Sequence, residues 1–194
     1  EWDFARFEVP GHRWADLSQG DYGVAILNDC KYGYDVHENV LGLSLLKSAG
    51  RPDETADRKV HHFTYSLYPH RGTAEKADVT KAAINLNMPV LTQCVLADGQ
   101  GESFVRYSFV HTDCGHILLD TVKLAEDGSG DMVFRLYECK KGMDSAAVKI
   151  NLPVKSAWLC DMLENKEEEA AVTDGVINLD FKAFEIKTVR IALK

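Results

Sequence analysis

The chain has 194 residues and carries 30 Asp plus Glu against 22 Lys plus Arg, a formal net charge of −8. An acidic balance of this size argues against a surface that tracks phosphates, so neither nucleic acid nor an anionic membrane is expected as a partner. A compact body of this length suits one or two domains and buries about 70% of its unfolded surface, enough for a core without staples.

No apolar run approaches the roughly 18 residues that a membrane span requires. The N-terminus lacks the basic-then-apolar order of a signal peptide. Five cysteines, Cys30, Cys94, Cys114, Cys139 and Cys160, stand 20 or more residues apart and never form a C-x-x-C pair. That pattern predicts reduced thiols, mostly buried or half-buried, in a cytoplasmic protein.

In chain order, Trp2 to Val9 alternates apolar and polar residues like a strand already under way, with Trp2 and Phe4 on one face, Phe7 and Val9 on the other phase, and a bulge at Ala5-Arg6. The absence of an initiator Met carries the expectation of a piece of something longer. Pro10-Gly11 signals a turn, His12 to Leu17 resumes period two, and Ser18 to Asp21 closes it. An apolar run from Gly23 to Leu27 leads into Asn28-Asp29-Cys30-Lys31-Tyr32-Gly33-Tyr34-Asp35, and a second run spans Val40 to Leu46. The polar stretch between them reads as a loop joining two buried strands. It suits the rim of a polar ligand's pocket, and equally an ordinary hairpin connection.

Lys47 to Lys59 is too hydrophilic for core and predicts an exposed excursion. Val60 to Leu67 reads as a strand. Thr73 is placed to cap a helix from Ala74 to about Leu86, with Val79, Ala82, Ala83 and Leu86 on one face and Met88-Pro89 ending it. Beyond Pro89, turn signals at Asp98-Gly99, Asp127-Gly128, Lys141-Gly142 and Asp174-Gly175 separate strands predicted at Phe104–Val110, Ile117–Leu124, Met132–Tyr137, Ala146–Leu152, Ala157–Leu163 and Val176–Leu193. The last changes phase, which predicts a bulge or corner near Ala183 and another near Thr188. The charge run Glu164 to Glu169 reads as a solvated loop. Strands this dense imply an antiparallel sandwich.

Complete catalytic sets are missing. His61 and His62 point to opposite faces if they lie in a strand. His111-Thr-Asp113-Cys114-Gly-His116 matches no standard metal spacing and reads as a polar hairpin loop. No G-x-S-x-G context surrounds a serine, and Gly99-Gln-Gly101 lies in a hairpin rather than between a strand and a helix. Carboxylate pairs such as Asp29 with Asp35 are abundant in an acidic chain and carry no weight alone. Trp2, Trp14 and Trp158 suit sugar stacking but also core. Lys31, Lys47 and Arg51, near the polar loop in sequence, are the basic groups best suited to meet a polar ligand, and equally suit plain surface charge.

Several runs together are similar to the C-terminal β region of family 38 glycoside hydrolases, the retaining α-mannosidases, most closely the cytosolic type. They are Arg6-Phe-Glu-Val-Pro10 with His12-Arg-Trp-Ala-Asp-Leu-Ser18, Tyr22 through Asp35, Leu43-Ser-Leu-Leu46 with Pro52-Asp53, and Tyr65-Ser-Leu-Tyr-Pro-His70. Leu119-Asp-Thr-Val-Lys123, Ala125-Glu-Asp-Gly128, Arg135-Leu-Tyr-Glu138, Ser156-Ala-Trp158 and Phe184-Glu-Ile-Lys-Thr188 continue the likeness in order.

The resemblance implies an all-β chain with one short helix. Strands of a large antiparallel sandwich with the tyrosine loop are expected over 1–72, a helix and linker over 73–88, and a smaller, immunoglobulin-like terminal sandwich over 89–194. It also implies that the nucleophile, the acid/base group and the zinc ligands lie on an N-terminal catalytic domain that no stretch here resembles. No cofactor is therefore expected in this chain, with zinc implied for the whole enzyme. The implied partners are that catalytic domain and a mannose-containing oligosaccharide. By the same resemblance, Asn28, Asp29, Lys31, Tyr32, Tyr34 and Asp35 are expected at the rim of a sugar pocket, with Lys47 as a basic neighbour. The competing expectation is a stand-alone sandwich that binds carbohydrate or protein without chemistry.

Overall fold

The computed structural model describes residues 7–94 and 107–194. The chain divides into two compact units, Glu1–Val95 and Leu96–Lys194. The expected Trp2–Phe4 alternation, the Ala5-Arg6 bulge, the Asp98-Gly99 turn and the start of the strand at Phe104 lie outside the described residues.

The first unit holds β1 (Val9–Pro10), β2 (Trp14–Gln19), β3 (Tyr22–Asn28), β4 (Gly33–His37), β5 (Val40–Ser44), β6 (Tyr65–Arg71) and the helix α1 (Val79–Asn87). Its strands form two antiparallel sheets, β2-β3-β6 and β1-β4-β5. Period two in β3 turns Ala25 and Leu27 inward against Val79 and Ala83 of α1, with Trp14, Tyr68, Ala82 and Leu86 packed around them. The helix thus presents the face that its i, i+3, i+4 spacing marks.

Its start lies later than Thr73. Asp78 takes a left-handed φ of 51°, and residues 73–78 form turns in which Ala77 N bonds Thr73 O at 3.0 Å. The helix stops at Asn87, before Met88-Pro89.

Two strands also differ from the sequence pattern. The polar loop is shorter than expected, because Gly33–His37 pairs with Val40–Ser44 as a hairpin and leaves only Asp29–Tyr32 between strands. The strand expected from Val60 begins at Tyr65, because its partner β3 ends at Asn28, which stands opposite Tyr65. It runs on through Pro69 to Arg71, and a proline is tolerated there because β6 is an edge strand. From Lys47 to Lys59 every residue is exposed except half-buried Ala56, as its polarity predicts.

The second unit is a β-sandwich. One sheet has the order β13 (Val176–Phe181), β10 (Asp144–Ile150), β7 (Val110–Thr112). The other has the order β12 (Lys166–Ala170), β11 (Val154–Cys160), β14 (Ile186–Leu193), β9 (Met132–Glu138), β8 (Ile117–Leu124). Ala146, Val148 and Ile150 of β10 and Ile177, Leu179 and Phe181 of β13 meet Phe134, Leu136, Val189 and Ile191 of the opposite sheet in one core. All pairings between these strands are antiparallel.

The phase change expected near Ala183 is a crossing from one sheet to the other, made by Lys182 to Glu185 with Phe184 at φ 58°. Near Thr188 there is no bulge, since β14 pairs with β9 without interruption from Ile186 to Ile191. The mixed pattern there reflects a central strand buried on both faces, Thr188, Val189, Arg190 and Ile191 in succession. The Arg190 guanidinium is buried because Asp131, Asp127 and Ser129 receive its donors at 2.7, 2.6 and 2.9 Å.

The charge run at Glu164 is not a solvated loop. Glu164 is buried, its carboxylate accepting bonds from Lys123 Nζ at 2.7 Å and Glu126 N at 2.9 Å, and Lys166–Ala170 forms the edge strand β12. Exposed glutamates along an edge strand are the standard protection against pairing with another chain. β11 ends at Cys160 because the Asp161 carboxylate caps the following turn, accepting Leu163 N and Asn165 N at 2.9 Å each.

Candidate functional site

The tyrosine loop is built from the end of β3 outward. Asn28 is fully buried, and every polar group on it is engaged. Its amide donates to Arg13 O at 2.9 Å, its carbonyl accepts Asn87 Nδ2 at 2.9 Å, its Oδ1 accepts Lys31 N at 2.7 Å, and its Nδ2 donates to the Tyr34 hydroxyl. One side chain therefore joins β3, the loop and β4, while its backbone holds the end of α1. Tyr34 is 2% exposed, and burial pushes its hydroxyl above the ordinary tyrosine value despite the Asn28 bond.

The remaining loop residues face outward. Asp29 is exposed and pairs with Thr64, its amide donating to Thr64 O at 3.1 Å and its Oδ2 accepting Thr64 N at 2.9 Å. The Cys30 thiol, then the Thr64 amide, hold the Asp29 carboxyl below its usual range, and the same contact raises the Cys30 thiol. Lys31 Nζ lies 4.8 Å from the centre of the Phe63 ring. Tyr32 is 51% exposed, with its ring 4.9 Å from that of His12 and tilted by 38°. Asp35 is half-buried on β4, its carboxylate lying over Gly42 of β5.

Lys47 is exposed beyond the end of β5, and among the described residues no hydrogen bond or ion pair draws it to the loop. The structure thus gathers Asn28, Lys31 and Tyr34 around one buried amide and turns Asp29 and Tyr32 to the surface. It adds His12, Phe63 and Thr64, which no local pattern marks because their contacts are tertiary. Carboxylate, ammonium and an exposed aromatic face together suit hydrogen bonding and stacking on a hydroxyl-rich ring.

A second feature of this unit is an open groove of about 680 Å³ lined by Leu17, Tyr22, Val24, Ile26, Leu41 and Leu67, with Ser18, Gln19, Glu38 and Asn39 also lining it. Tyr22 and Leu67 are 55% and 64% exposed, unusual for large apolar side chains that converge on one surface.

The histidine clusters resolve differently. His61 and His62 lie outside any strand, His61 bonding Asp57 O at 2.8 Å through Nε2. Of the run from His111 to His116, Asp113 is engaged by β10, His111 is exposed, and Cys114 and His116 approach Asp144. Among the described residues no helix is long and apolar enough to cross a membrane.

Comparison with known proteins agrees with this architecture. A family model described as "Glycosyl hydrolases family 38 C-terminal domain" matches residues 1–55, and one described as "Glycosyl hydrolases family 38 C-terminal beta sandwich domain" matches residues 116–189. The chain is 40% identical to "Alpha-mannosidase 2C1" of Mus musculus over 197 residues, covering 100% of this chain and 19% of that protein. It is 41% identical to "Alpha-mannosidase G" of Dictyostelium discoideum over 192 residues, covering 97% of this chain and 18% of that one. A solved structure described as "an alpha-mannosidase from Enterococcus faecalis V583" superposes with a TM-score of 0.74 at 17% identity, covering 95% of this chain and 21% of that one, which shows a shared fold. The chain spans about a fifth of the length of the curated relatives it matches. With both C-terminal family descriptions matched in order, the chain belongs to glycosyl hydrolase family 38, as part of that family's C-terminal β region.

Proposed function

We propose that this chain is the non-catalytic C-terminal part of a cytoplasmic, retaining α-mannosidase that packs on the catalytic domain and supplies one wall of its sugar pocket. The observation that carries the reading is identity of 40% across the whole chain to a relative named as an α-mannosidase, of which it spans 19%. The groove beneath Tyr22 and Leu67 supports it, since so apolar a surface gains by being covered. The reacting carboxylates and the zinc are assigned to the catalytic domain.

Within that wall Asp29, Lys31, Tyr32 and Asp35 meet the mannose-containing oligosaccharide, Asn28 and Tyr34 hold the loop in shape, and Lys47 lends positive charge nearby. Alone, the chain is expected to release no product from an aryl α-mannoside with zinc present, and turnover above the blank overturns the proposal. In the full enzyme, Tyr32→Ala and Asp35→Asn are expected to lower kcat/KM several-fold at unchanged Tm. Wild-type kinetics in both variants would remove the loop from the pocket. Saturable mannose binding by the isolated chain would instead favour a carbohydrate-binding module.

A further inference from the structure

The connection from β7 to β8 is braced on two sides. Thr112 Oγ1 donates to the carbonyls of Cys114 at 3.0 Å and Ile117 at 3.2 Å, and Ile117 N donates to Cys114 O at 3.2 Å. Asp113 is tied to β10 by its amide, which reaches Ala147 O at 3.3 Å, and by Oδ1, which accepts Ala147 N at 2.8 Å. The His116 carbonyl accepts Cys139 N at 2.9 Å, just past the end of β9.

This bracing presents Cys114 and His116 toward Asp144, the first residue of β10. His116 Nδ1 lies 2.9 Å from Asp144 Oδ2, and one sulfur, one ring nitrogen and one carboxylate oxygen from the three residues all lie within 4.8 Å of one another. Cys114 and Asp144 are half-buried and His116 is more open, its side chain 46% exposed. Gly142 keeps the carboxylate's place open, since a Cβ there would stand 2.8 Å from Asp144 Oδ2.

We propose that Cys114, His116 and Asp144 form a zinc-binding site, an inference that does not rest on the mannosidase reading. Thiolate, imidazole and carboxylate are the three donor types that zinc accepts together in a tetrahedron, and three protein ligands leave the fourth corner to water. The charges balance: thiolate and carboxylate offset the dication while the imidazole stays neutral. Binding expels the thiol proton to solvent, moves the His116 ring proton from Nδ1 to Nε2 and replaces the His116–Asp144 hydrogen bond with two bonds to the ion, with no change of oxidation state. Zinc bonds of about 2.0–2.3 Å bring tetrahedral ligands to about 3.3–3.8 Å of one another. The cluster therefore closes by rotation of partly exposed side chains on a backbone already held in place.

The test uses the 194-residue chain stripped with chelator and titrated with zinc alone. One zinc is expected to bind per chain, and Cys114→Ser, His116→Ala and Asp144→Asn are each expected to weaken it about tenfold or more. A readout on the unaltered chain guards against variants that fail to fold. One equivalent of zinc should protect Cys114 from iodoacetamide, located by peptide mapping, while exposed Cys30 continues to react. Cobalt in place of zinc should give a thiolate charge-transfer band. No bound zinc, equal labelling of Cys114 with and without zinc, or unchanged affinity in folded Cys114→Ser overturns the site.

Discussion

Asn28 at the end of β3 and Tyr34 in β4 close on each other inside the first unit, the Asn28 side-chain amide donating to the Tyr34 hydroxyl with neither residue more than 2% exposed. The bond links the sheet β2-β3-β6 to the sheet β1-β4-β5, so the polar stretch that joins them in sequence is also a joint in space. Two residues expected at a ligand rim are thereby engaged in holding the loop that carries the others.

Truncation of this joint is expected to act on stability. Asn28→Ala strands the Lys31 amide and the buried Tyr34 hydroxyl, each costing about 1–3 kcal/mol. Tyr34→Phe strands only one buried donor, Asn28 Nδ2, and should cost less than Asn28→Ala, about 1–2 kcal/mol. Urea denaturation of both variants checks the order, and a Tyr34→Phe loss equal to that of Asn28→Ala would place the worth of the joint elsewhere.

Gly23 is required by a side chain from the next strand. The His70 ring crosses over it to reach Asp16 Oδ1 at 2.7 Å, and a Cβ at position 23 would stand 2.5 Å from His70 Cε1 and 2.8 Å from Ser18 Cβ. Gly23→Ala is expected to lower stability by about 1–3 kcal/mol through overpacking. Gly50→Ala meets no atom within 4 Å and serves as the control, expected within about 0.5 kcal/mol of the parent. Equal midpoints for the two variants would refute the steric account.

Acid should act partly through Glu138. Burial alone would raise its carboxyl, but the amides of Phe184, Lys140, Gly142 and Lys141 outweigh that and hold it below its ordinary 4.5. A depressed folded-state pKa contributes stability that is complete above the ordinary value and is lost as pH falls through the lowered one. Glu138→Gln cannot titrate, so its Tm should fall less steeply than the parent's as pH drops below the ordinary 4.5. Parallel Tm profiles would show that Glu138 contributes nothing to the acid limb.

The edge strand β12 is kept from pairing outward by Glu167, Glu168 and Glu169, all exposed. Replacing them together, Glu167→Thr, Glu168→Val and Glu169→Thr, raises β-propensity and removes the charge. Size-exclusion chromatography with light scattering should show larger species than the parent gives at the same concentration. Matching masses would mean that the edge is blocked by something other than charge.

Local pattern carried much of the fold. Ile117–Leu124 and Met132–Glu138 stand where period two and the Asp127-Gly128 turn put them, and Val79, Ala82, Ala83 and Leu86 form the packed face of α1, because each depends on a chain's own alternation or helical spacing. What pattern misread depended on partners. Lys166–Ala170 looks like a loop by composition and is a strand because β11 offers it an edge, and the irregularity expected near Thr188 is absent because β14 is paired on both sides there.

The sequence by itself determined an all-β chain with one helix, and it singled out Asn28 to Asp35 as a connection rich in polar groups. Only the tertiary structure decided which of those side chains are engaged inside and which face outward, since Asn28 is held by the end of α1 and by Tyr34 of β4. The same holds for the cluster at Cys114 and His116. Its third member, Asp144, lies 28 residues away from His116 and reaches it only because β10 runs beside β7, a proximity set by strand pairing rather than by spacing along the chain.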